Sequence, residues 1–298
     1  MKTIAEIIEA AKAGGRKRIA VAAAQEHTAL EAAVDAWRHG LAEPVLIGDL
    51  KAIDAIAAEL KLDISAFERI EEKDFARAAA KAVELVRTGK ADMLMKGLLD
   101  TSILLKAAFN KETGINAGRL ASHVAVMETA HYHKLFLVTD AAINIAPDLS
   151  AKIDIIANAV QVARAIGVET PKVALLAAVE KVNYDKMPCT VDAAFIAQMN
   201  RRGQVKGCVV DGPLALDNAV SAESAKIKKI VSEVAGDADI LVVPDIEAGN
   251  VLYKSLLDLG GAKGAGLVMG AAKPIVLTSR ADTAETKLAS IALAALAS

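Results

Sequence analysis

Residues 19–24 read Ile-Ala-Val-Ala-Ala-Ala, and a segment with helical apolar spacing follows at residues 28–38 and closes at Gly40. The apolar run is continuous rather than alternating, which is typical of a strand covered on both faces, as in a parallel sheet. Glycine directly after a helical segment tolerates the left-handed cap that ends many helices. The two segments together predict one β–α unit of a layered α/β fold.

The same pattern recurs along the chain, because short runs rich in Val, Ile and Leu alternate with segments of helical spacing. The further helical segments are residues 74–88, 151–166 and 219–234. The further predicted strands are residues 44–47, 92–95, 135–138, 173–177, 207–210, 240–243 and 275–277. We therefore predict an α/β protein with mainly parallel sheets and helices on both faces.

The chain has 298 residues, of which 54% are hydrophobic, and this is enough for two buried cores. No linker rich in Pro, Gly or Ser separates two halves, so a second domain is expected to grow out of the first sheet. We place this crossover near residues 140–149. The strand at 275–277 and the closing helix could then return to the first domain.

Composition excludes several classes of function. The 35 Lys and Arg residues balance 37 Asp and Glu residues, and only 3% of the chain is aromatic, so nucleic acid is not an expected partner. Residues 1–18 lack the apolar core of a signal peptide, and the apolar tail at 288–297 is about half of a membrane span of roughly 20 residues. We expect a cytoplasmic protein without a membrane partner. Cys189 and Cys208 are too few for a disulfide framework.

Polar residues directly after the apolar runs are candidates for a binding site, because ligands of open parallel sheets bind beyond the carboxyl ends of the strands. Each position taken alone is better explained as a turn or a helix cap. In combination, their cations and the helix starts near residues 100–102 and 248–250 predict a phosphate-bearing ligand. The strand-end pairs are Lys96-Gly97, Thr139-Asp140, Asp211-Gly212, Pro244-Asp245 and Ser279-Arg280.

Other motifs have ordinary structural interpretations. No G-x-G-x-x-G fingerprint follows a strand and no P-loop occurs, so the glycines at 260–270 are expected to form turns that flank a strand. His131 and His133 have no carboxylate or cysteine partners in the pattern of a metal site and are expected in a loop. Cys189 has no identifiable base, so we interpret it as a helix-start or packing residue.

Four stretches share a pattern with a known enzyme family. The chain resembles the phosphate acetyltransferase and phosphate butyryltransferase family in these stretches, in order and over nearly its whole length. The sequences at residues 211–214 and 278–282 are more similar to the butyryl-transferring branch than to the acetyl-transferring branch. The stretches are Thr-Asp-Ala-Ala-Ile-Asn at 139–144, Asp-Gly-Pro-Leu-Ala-Leu-Asp-Asn at 211–218, Pro-Asp-Ile-Glu-Ala-Gly-Asn at 244–250 and Leu-Thr-Ser-Arg-Ala-Asp at 277–282.

The resemblance implies two α/β domains of the isopropylmalate-dehydrogenase-like type, with the second inserted into the first. On this basis the first domain comprises residues 1–140 and 280–298, the second comprises residues 141–279, and an active cleft lies between them. The implied reaction is attack of the coenzyme A thiol on an acyl phosphate within a ternary complex. The expected partners are acyl-CoA, phosphate and acyl phosphate, with no metal, no permanently bound cofactor, and a homodimer or higher homo-oligomer.

Catalytic roles follow from the resemblance at the C-terminal motif. Ser279 is expected to donate to the attacking sulfur, and Arg280 is expected to bind the transferring phosphate through its planar guanidinium. The aspartate that the acetyl-transferring branch carries seven positions after its serine falls here on Thr286. Asp282 and Glu285 are substitute bases, or are merely acids favoured in the first turn of a helix.

The remaining candidates are expected to bind coenzyme A or phosphate. Lys106 falls near a family arginine, but as a helix-surface cation it is equally well explained. Two alternatives stay open, namely an acetyl preference and an acyl-CoA-binding module with weak catalysis, which the Thr286 substitution favours. A nicotinamide-dependent dehydrogenase of the same broad fold is disfavoured, because a metal-binding aspartate cluster is missing. The binding candidates are Lys96, Thr101, Lys106, Asp140, Asn144, Asp211, Asp245, Asn250 and Lys254.

Overall fold

The computed structural model describes residues 1–277 and 282–298. The chain folds into two compact units: the first comprises Ile4–Arg119 and Ala265–Ser298, and the second comprises Met1–Thr3 and Leu120–Gly264. These limits differ from the domain boundaries that the sequence analysis placed at 140/141 and 279/280.

Helices and strands alternate over most of the chain. The helices are α1 (Ile4–Ala13), α2 (His27–Arg38), α3 (Leu50–Glu59), α4 (Phe75–Arg87), α5 (Thr101–Ala108), α6 (Leu149–Ala165), α7 (Cys189–Arg201), α8 (Leu216–Val220), α9 (Ala222–Ile227), α10 (Ile246–Lys254) and α11 (Ala284–Ala297). The strands are β1 (Lys17–Ala22), β2 (Ala42–Gly48), β3 (Glu68–Glu71), β4 (Met93–Lys96), β5 (Ser122–Glu128), β6 (Phe136–Thr139), β7 (Lys172–Leu176), β8 (Val209–Leu214), β9 (Ile240–Val242), β10 (Lys263–Met269) and β11 (Ile275–Val276).

The sheet of the first unit has the order β3-β2-β1-β4-β11-β10, and all neighbours are parallel except β10 and β11. Residues 19–24 are fully buried at its centre, as their continuous apolar sequence predicts. Helix α4 packs on β1 and on α5, whereas α1 and α2 pack on α11. The sheet is therefore covered by two separate groups of helices.

The sheet of the second unit has the order β5-β6-β9-β7-β8, in which only β5 is antiparallel to its neighbour. Its core includes Met127, Phe136, Val138 and Leu241 from three of these strands. Because β5 pairs with β6, residues 120–140 belong to the second unit rather than to the first. Residues 265–277 belong to the first unit, since β11 pairs with β4.

The structure of two predicted segments differs from the expectation. The predicted helix at 219–234 is two short helices, α8 and α9, because Ser221 leaves α8 in an extended conformation and caps α9 through the backbone N–H of Ser224. Gly264 and Gly266 lie inside β10 rather than in turns. At Gly266 the backbone N–H donates to Ser290 Oγ at 2.9 Å, which ties β10 to α11.

Candidate functional site

The ammonium group of Lys96 is buried in the turn that follows β4. Its Nζ donates to the carbonyl oxygens of Gly97 at 3.1 Å and Leu99 at 3.3 Å. A side chain at residue 97 would overlap the backbone of Ala23, which follows β1, so this junction requires glycine. The Lys96-Gly97 pair therefore holds a positive charge at the carboxyl edge of the first sheet.

Thr101 and Lys106 lie at opposite ends of α5. Thr101 is half-buried and begins the helix after Asp100, at the carboxyl end of β4. Lys106 is exposed in the last turn, about 8 Å further along the axis at 1.5 Å per residue. The helix thus presents Thr101 at the strand ends but directs Lys106 away from them.

Asp140 organises the loop that follows β6. The residue is only 2% exposed, and its Oδ1 accepts hydrogen bonds from the backbone N–H groups of Ala142 at 2.9 Å and Ile143 at 3.0 Å. Its Oδ2 accepts from the backbone N–H of Asn144 at 3.2 Å and from Asn144 Nδ2 at 2.6 Å. Asn144 Nδ2 also donates to the carbonyl oxygen of Ala121 at 2.8 Å. The carboxylate is therefore satisfied by the loop itself, which it holds in one conformation.

Helix α10 is docked on this loop by residues of the predicted binding motif. Asp245 caps the helix by accepting from the backbone N–H of Ala248 at 2.9 Å. A Cβ at Gly249 would lie 2.7 Å from the carbonyl oxygen of Asp140, so glycine permits the close approach. Asn250 Nδ2 donates to the carbonyl oxygen of Ala141 at 3.2 Å. Asp140, Asn144, Asp245 and Asn250 are thus brought together at the carboxyl ends of β6 and β9.

Two predicted binding residues lie apart from this cluster. Asp211 does not follow a strand, because β8 continues to Leu214; its Oδ1 accepts from the backbone N–H of Gly212 at 2.9 Å. Lys254 is exposed in the last turn of α10, at the opposite end from Asp245. The prediction that Asp211 lies just beyond a strand is therefore wrong, since the pairing of β8 with β7 carries the strand through the polar residues.

The predicted catalytic residues Ser279 and Arg280 lie outside the described residues. Asp282 is half-buried just before α11, and Glu285 is exposed in its first turn. Thr286 has a structural role, since its backbone N–H donates to Oγ1 of Thr283 at 3.2 Å and the two hydroxyl oxygens are 3.1 Å apart. Thr283 is the cap of α11. Residue 286 therefore lies in the first turn of α11, against its cap.

An ion pair in the second unit was not predicted from the sequence. Lys152 Nζ lies 2.7 Å from Asp192 Oδ2, and the lysine side chain is 6% exposed. Lys152 and Cys189 line a small cavity together with Val243, at the carboxyl end of β9. Burial raises the pKa of the Cys189 thiol, and the nearby carboxylates Asp192 and Asp245 raise it further, against the opposing charge of Lys152. A protonated thiol is a poor nucleophile, in agreement with the packing interpretation of Cys189.

A second missed group lies where α2 begins in the first unit. Lys287 is 2% exposed, its Nζ contacts the hydroxyl of Thr28, and it lies 3.7 Å from Glu26 Oε2. Glu26 caps α2 by accepting from the backbone N–H groups of Thr28 and Ala29. Burial alone would raise the pKa of Glu26, but the hydrogen bond from Thr28 and the charge of Lys287 hold it below its ordinary value. Glu26 is therefore a carboxylate at the start of α2.

Within the described ranges, 1–277 and 282–298, no group of His, Cys, Asp and Glu side chains could hold a metal ion. His131 and His133 lie in the loop between β5 and β6, as expected, and His133 Nε2 is 3.0 Å from Asp237 Oδ1.

No helix within residues 1–277 and 282–298 is long and apolar enough to span a bilayer.

Comparison with known families gives the assignment. The family described as phosphate acetyl/butaryl transferase matches residues 2–80 and 73–295. The chain belongs to this family. It is therefore an acyltransferase of the phosphate butyryltransferase and acetyltransferase type, as the motifs at 139–144, 211–218 and 244–250 predict.

Two curated relatives of this phosphate acyltransferase cover almost all of it. The phosphate butyryltransferase of Clostridium acetobutylicum is 51% identical over 296 residues, which are 99% of this chain and 98% of the relative. The phosphate acetyltransferase of Thermotoga maritima is 46% identical over 291 residues, which are 98% of each chain.

Solved structures agree with the fold of this phosphate acyltransferase. A branched-chain phosphotransacylase from Enterococcus faecalis V583 superposes with a TM-score of 0.83 at 36% identity, over 94% of this chain and 98% of the other. A 4-hydroxythreonine-4-phosphate dehydrogenase from Klebsiella pneumoniae has a TM-score of 0.55 at 14% identity, over 95% of this chain and 100% of the other, and shares the fold alone. The predicted α/β fold of the dehydrogenase-like type is confirmed.

Proposed function

We propose that the enzyme transfers a short acyl group, with butyryl preferred over acetyl, reversibly between coenzyme A and inorganic phosphate. The observation that carries this proposal is the 51% identity over the whole chain to a protein named phosphate butyryltransferase. The polar residues at the carboxyl end of β4 in the first unit, and at those of β6 and β9 in the second, support it, because each parallel sheet binds ligands beyond the carboxyl ends of its strands.

The proposed chemistry is direct transfer within a ternary complex. In one direction the thiol sulfur of coenzyme A attacks the carbonyl carbon of the acyl phosphate, a C–S bond forms, the C–O bond to phosphate breaks, and the thiol proton leaves to a base. A thiol with a pKa of about 8.5 is mostly protonated at neutral pH, so a donor to the developing thiolate speeds attack. Ser279 is the proposed donor to the sulfur, and Arg280 binds the departing phosphate.

Three positions near the C-terminal motif are candidates for the base, and two of them carry a carboxylate. Thr286 has no group that titrates near neutral pH, and its hydroxyl lies against the cap residue Thr283. Asp282 and Glu285 keep carboxylates next to the Ser279-Arg280 pair in sequence, and both are proposed as candidates. Asp282→Asn and Glu285→Gln, assayed separately, distinguish them, because loss of a general base lowers kcat by about 10²-fold or more and changes its pH profile.

The preference for butyryl is graded. Each buried methylene contributes about 0.8 kcal/mol, so the two extra carbons of butyryl favour it over acetyl by roughly tenfold in kcat/KM. Acetyl phosphate is then a slow substrate.

A phosphate acetyltransferase with acetyl preference is the second candidate, since the Thermotoga maritima relative carries that name at 46% identity. An acyl-CoA-binding module with weak catalysis is the third, and Thr286 is the observation that favours it.

The test is phosphate-dependent thiol release from acetyl-, propionyl-, butyryl- and valeryl-CoA, measured as kcat/KM. We expect a maximum at butyryl and a loss of about 10²-fold or more in Arg280→Ala. Arg202→Ala is the matched control, because Arg202 is an exposed arginine directly after α7. A maximum at acetyl would replace the proposal with the second candidate. Tight acyl-CoA binding without turnover would replace it with the third.

A further inference from the structure

Lys287 is a charged residue on the buried face of α11. Its side chain is 2% exposed, and Ser290, Ile291 and Ala294, at i+3, i+4 and i+7 from it, are buried on the same face. An ammonium group at such a position loses its hydration, and an apolar side chain of similar volume would be at least as stable there. Packing alone therefore does not account for a lysine at residue 287.

The ammonium group of Lys287 is linked through a hydroxyl group to a carboxylate at the start of α2. Lys287 Nζ donates to Thr28 Oγ1, and this hydroxyl donates to the carboxylate of Glu26, whose Oε1 and Oε2 lie 2.9 Å and 3.0 Å away. Lys287 Nζ also lies 3.7 Å from Glu26 Oε2. These three side chains form one network inside the first unit, which we call the Lys287 network.

The carboxylate end of the Lys287 network is fixed to the centre of the first sheet. Glu26 follows β1, which pairs with β2 on one side and with β4 on the other. It caps α2 by accepting from the backbone N–H groups of Thr28 at 3.1 Å and Ala29 at 2.7 Å. The positive end of the helix dipole stabilises the negative charge at this position. Lys287 is thus bound to a part of the unit that the surrounding strands hold in place.

The lysine end of the network lies in the helix start that carries both candidate bases. Asp282 comes just before α11 and Glu285 lies in its first turn, five and two residues before Lys287. The backbone N–H of Lys287 donates to the carbonyl oxygen of Thr283, the cap residue, at 3.1 Å. Because this hydrogen bond closes the first turn, a contact that holds Lys287 also holds the turn.

We propose that Lys287 is a positioning residue for acyl transfer. Through Thr28 and Glu26 it fixes the start of α11 at the carboxyl end of β1. The carboxylates of Asp282 and Glu285 are thereby held where one of them accepts the thiol proton, and Lys287 itself exchanges no proton in the reaction. This inference rests on the proposed function, in which the thiol of coenzyme A requires a base. A general base acts only within hydrogen-bond reach of its proton, so a small displacement of the turn lowers the rate.

The experiment begins with a double variant that removes both charges. Glu26→Gln/Lys287→Met replaces the charged groups of the network by uncharged groups of similar size. We expect its free energy of unfolding to equal or exceed that of the parent. For the reaction of butyryl-CoA with phosphate, kcat should fall about tenfold and the KM for butyryl-CoA should change by less than about twofold. A loss of stability with kcat retained would show a structural role alone and overturn the inference.

Asp49→Asn/Lys73→Met is the matched control. Asp49 caps α3 of the same unit by accepting from the backbone N–H groups of Lys51 and Ala52, and Lys73 Nζ lies 3.7 Å from its Oδ2. This pair has the same separation of nitrogen and oxygen as the Lys287 network, but its lysine is 59% exposed. We expect kcat and KM of the control to stay at the parent values.

Thr28 gives a test that leaves both charges in place. Thr28→Val has nearly the same shape but no hydroxyl, so the ammonium group loses its link to the carboxylate and kcat should fall several-fold. Thr28→Ser retains the hydroxyl and should keep kcat near the parent value. The fall in Thr28→Val should be the same at every pH from about 6 to about 9, because the base itself is unchanged. A pH profile that loses a limb would show that the network itself carries the proton and would overturn the inference.

Hydrogen exchange at the backbone N–H of Lys287 gives a readout that needs no turnover. It should be faster in Thr28→Val than in Thr28→Ser, because the first turn of α11 opens more easily without its anchor. A parent-like kcat in Thr28→Val, or an equal fall of kcat in the control, would contradict the role given to Lys287. Absence of turnover in the parent enzyme would instead overturn the proposed function, and the exchange rates would then decide by themselves whether the network anchors α11.

Discussion

The two ends of the parallel strands in the second unit use their charged residues in different ways. At the amino ends, side chains pair with each other: Lys134 Nζ lies 2.6 Å from Asp239 Oδ1, and Lys172 Nζ lies 2.6 Å from Asp237 Oδ2. At the carboxyl ends, the carboxylate of Asp140 accepts mainly from backbone N–H groups.

We infer that charged residues at the amino ends of these strands serve stability, whereas those at the carboxyl ends also serve function. Charges at the amino ends cancel locally and hold neighbouring strands together. Carboxylates at the carboxyl ends instead fix the path of the backbone, which determines where loops and helix starts present their donors to a ligand. Changes at the carboxyl ends should therefore affect both stability and activity, whereas changes at the amino ends should affect stability alone.

The largest effect is expected for Asp140→Ala. The substitution leaves four hydrogen-bond donors of the loop without their acceptor in a site that is 2% exposed, and we expect a loss of about 3 kcal/mol in the free energy of unfolding. Chemical denaturation measures this, and kcat/KM for butyryl-CoA should fall as well. Asp140→Asn retains one carbonyl oxygen and should lose less. Equal stability of Asp140→Ala and the parent would contradict the role given to this carboxylate.

Gly249→Ala should have the next largest effect. The new methyl group would lie 2.7 Å from the carbonyl oxygen of Asp140 and 2.8 Å from Val243 Cγ2, so α10 must shift. Overpacking of this kind costs about 1–3 kcal/mol, and the displaced cap of α10 should raise the KM for phosphate. Gly261→Ala is the control for the loss of a glycine, because nothing lies within 4 Å of an added Cβ there. Its own cost in stability comes from the φ of +62°, which a residue with a side chain rarely adopts. An unchanged KM in Gly249→Ala would show that α10 does not position a ligand.

The smallest effect is expected for Asp237→Asn at the amino ends. Burial would raise the pKa of Asp237, but hydrogen bonds from Lys172 and Lys134 and the charges of both lysines lower it to about 2. A carboxyl whose folded pKa is depressed contributes stability above its unfolded pKa of about 3.9, and this contribution is lost as the pH falls from about 4 through about 2. Because the side chain is 41% exposed, screening limits it to about 1 kcal/mol or less.

Denaturation of the parent and Asp237→Asn between pH 2 and pH 7 measures this contribution. The stability difference between them should be fully present at pH 7 and mostly lost near pH 2, with kcat/KM for butyryl-CoA unchanged. A large loss of activity in Asp237→Asn would break the distinction between the two ends of the strands.

The sequence predicted the centre of each sheet better than its margins. Residues 19–24 form a continuous apolar run, and the structure buries them completely. Strand β3 was missed because its sequence, Glu-Arg-Ile-Glu, is largely exposed at a sheet edge and has no apolar run. Strand β10 was missed because Gly264 and Gly266 read as turn residues. Pairing with neighbouring strands, which no local pattern encodes, determines these elements.

The sequence predicted at which strand ends the polar residues lie, but it did not predict all of the residues found there. Polar residues after apolar runs located Asp140 and Asp245 correctly at the carboxyl ends of β6 and β9. Lys152 was missed, although a signal existed: with Ile155, Ile156 and Ala159 it occupies the i, i+3, i+4, i+7 positions of a buried helix face. A charged residue at such a position requires a partner of opposite charge, and only the fold shows that this partner is Asp192.

The most direct test of the central claim is phosphorus NMR of the enzyme with butyryl-CoA and inorganic phosphate, together with titration of free thiol. We predict that a butyryl phosphate resonance grows in one-to-one proportion with free thiol and that omission of phosphate stops thiol release. Thiol release that continues without phosphate, with no acyl phosphate resonance, would show a thioester hydrolase and contradict the account.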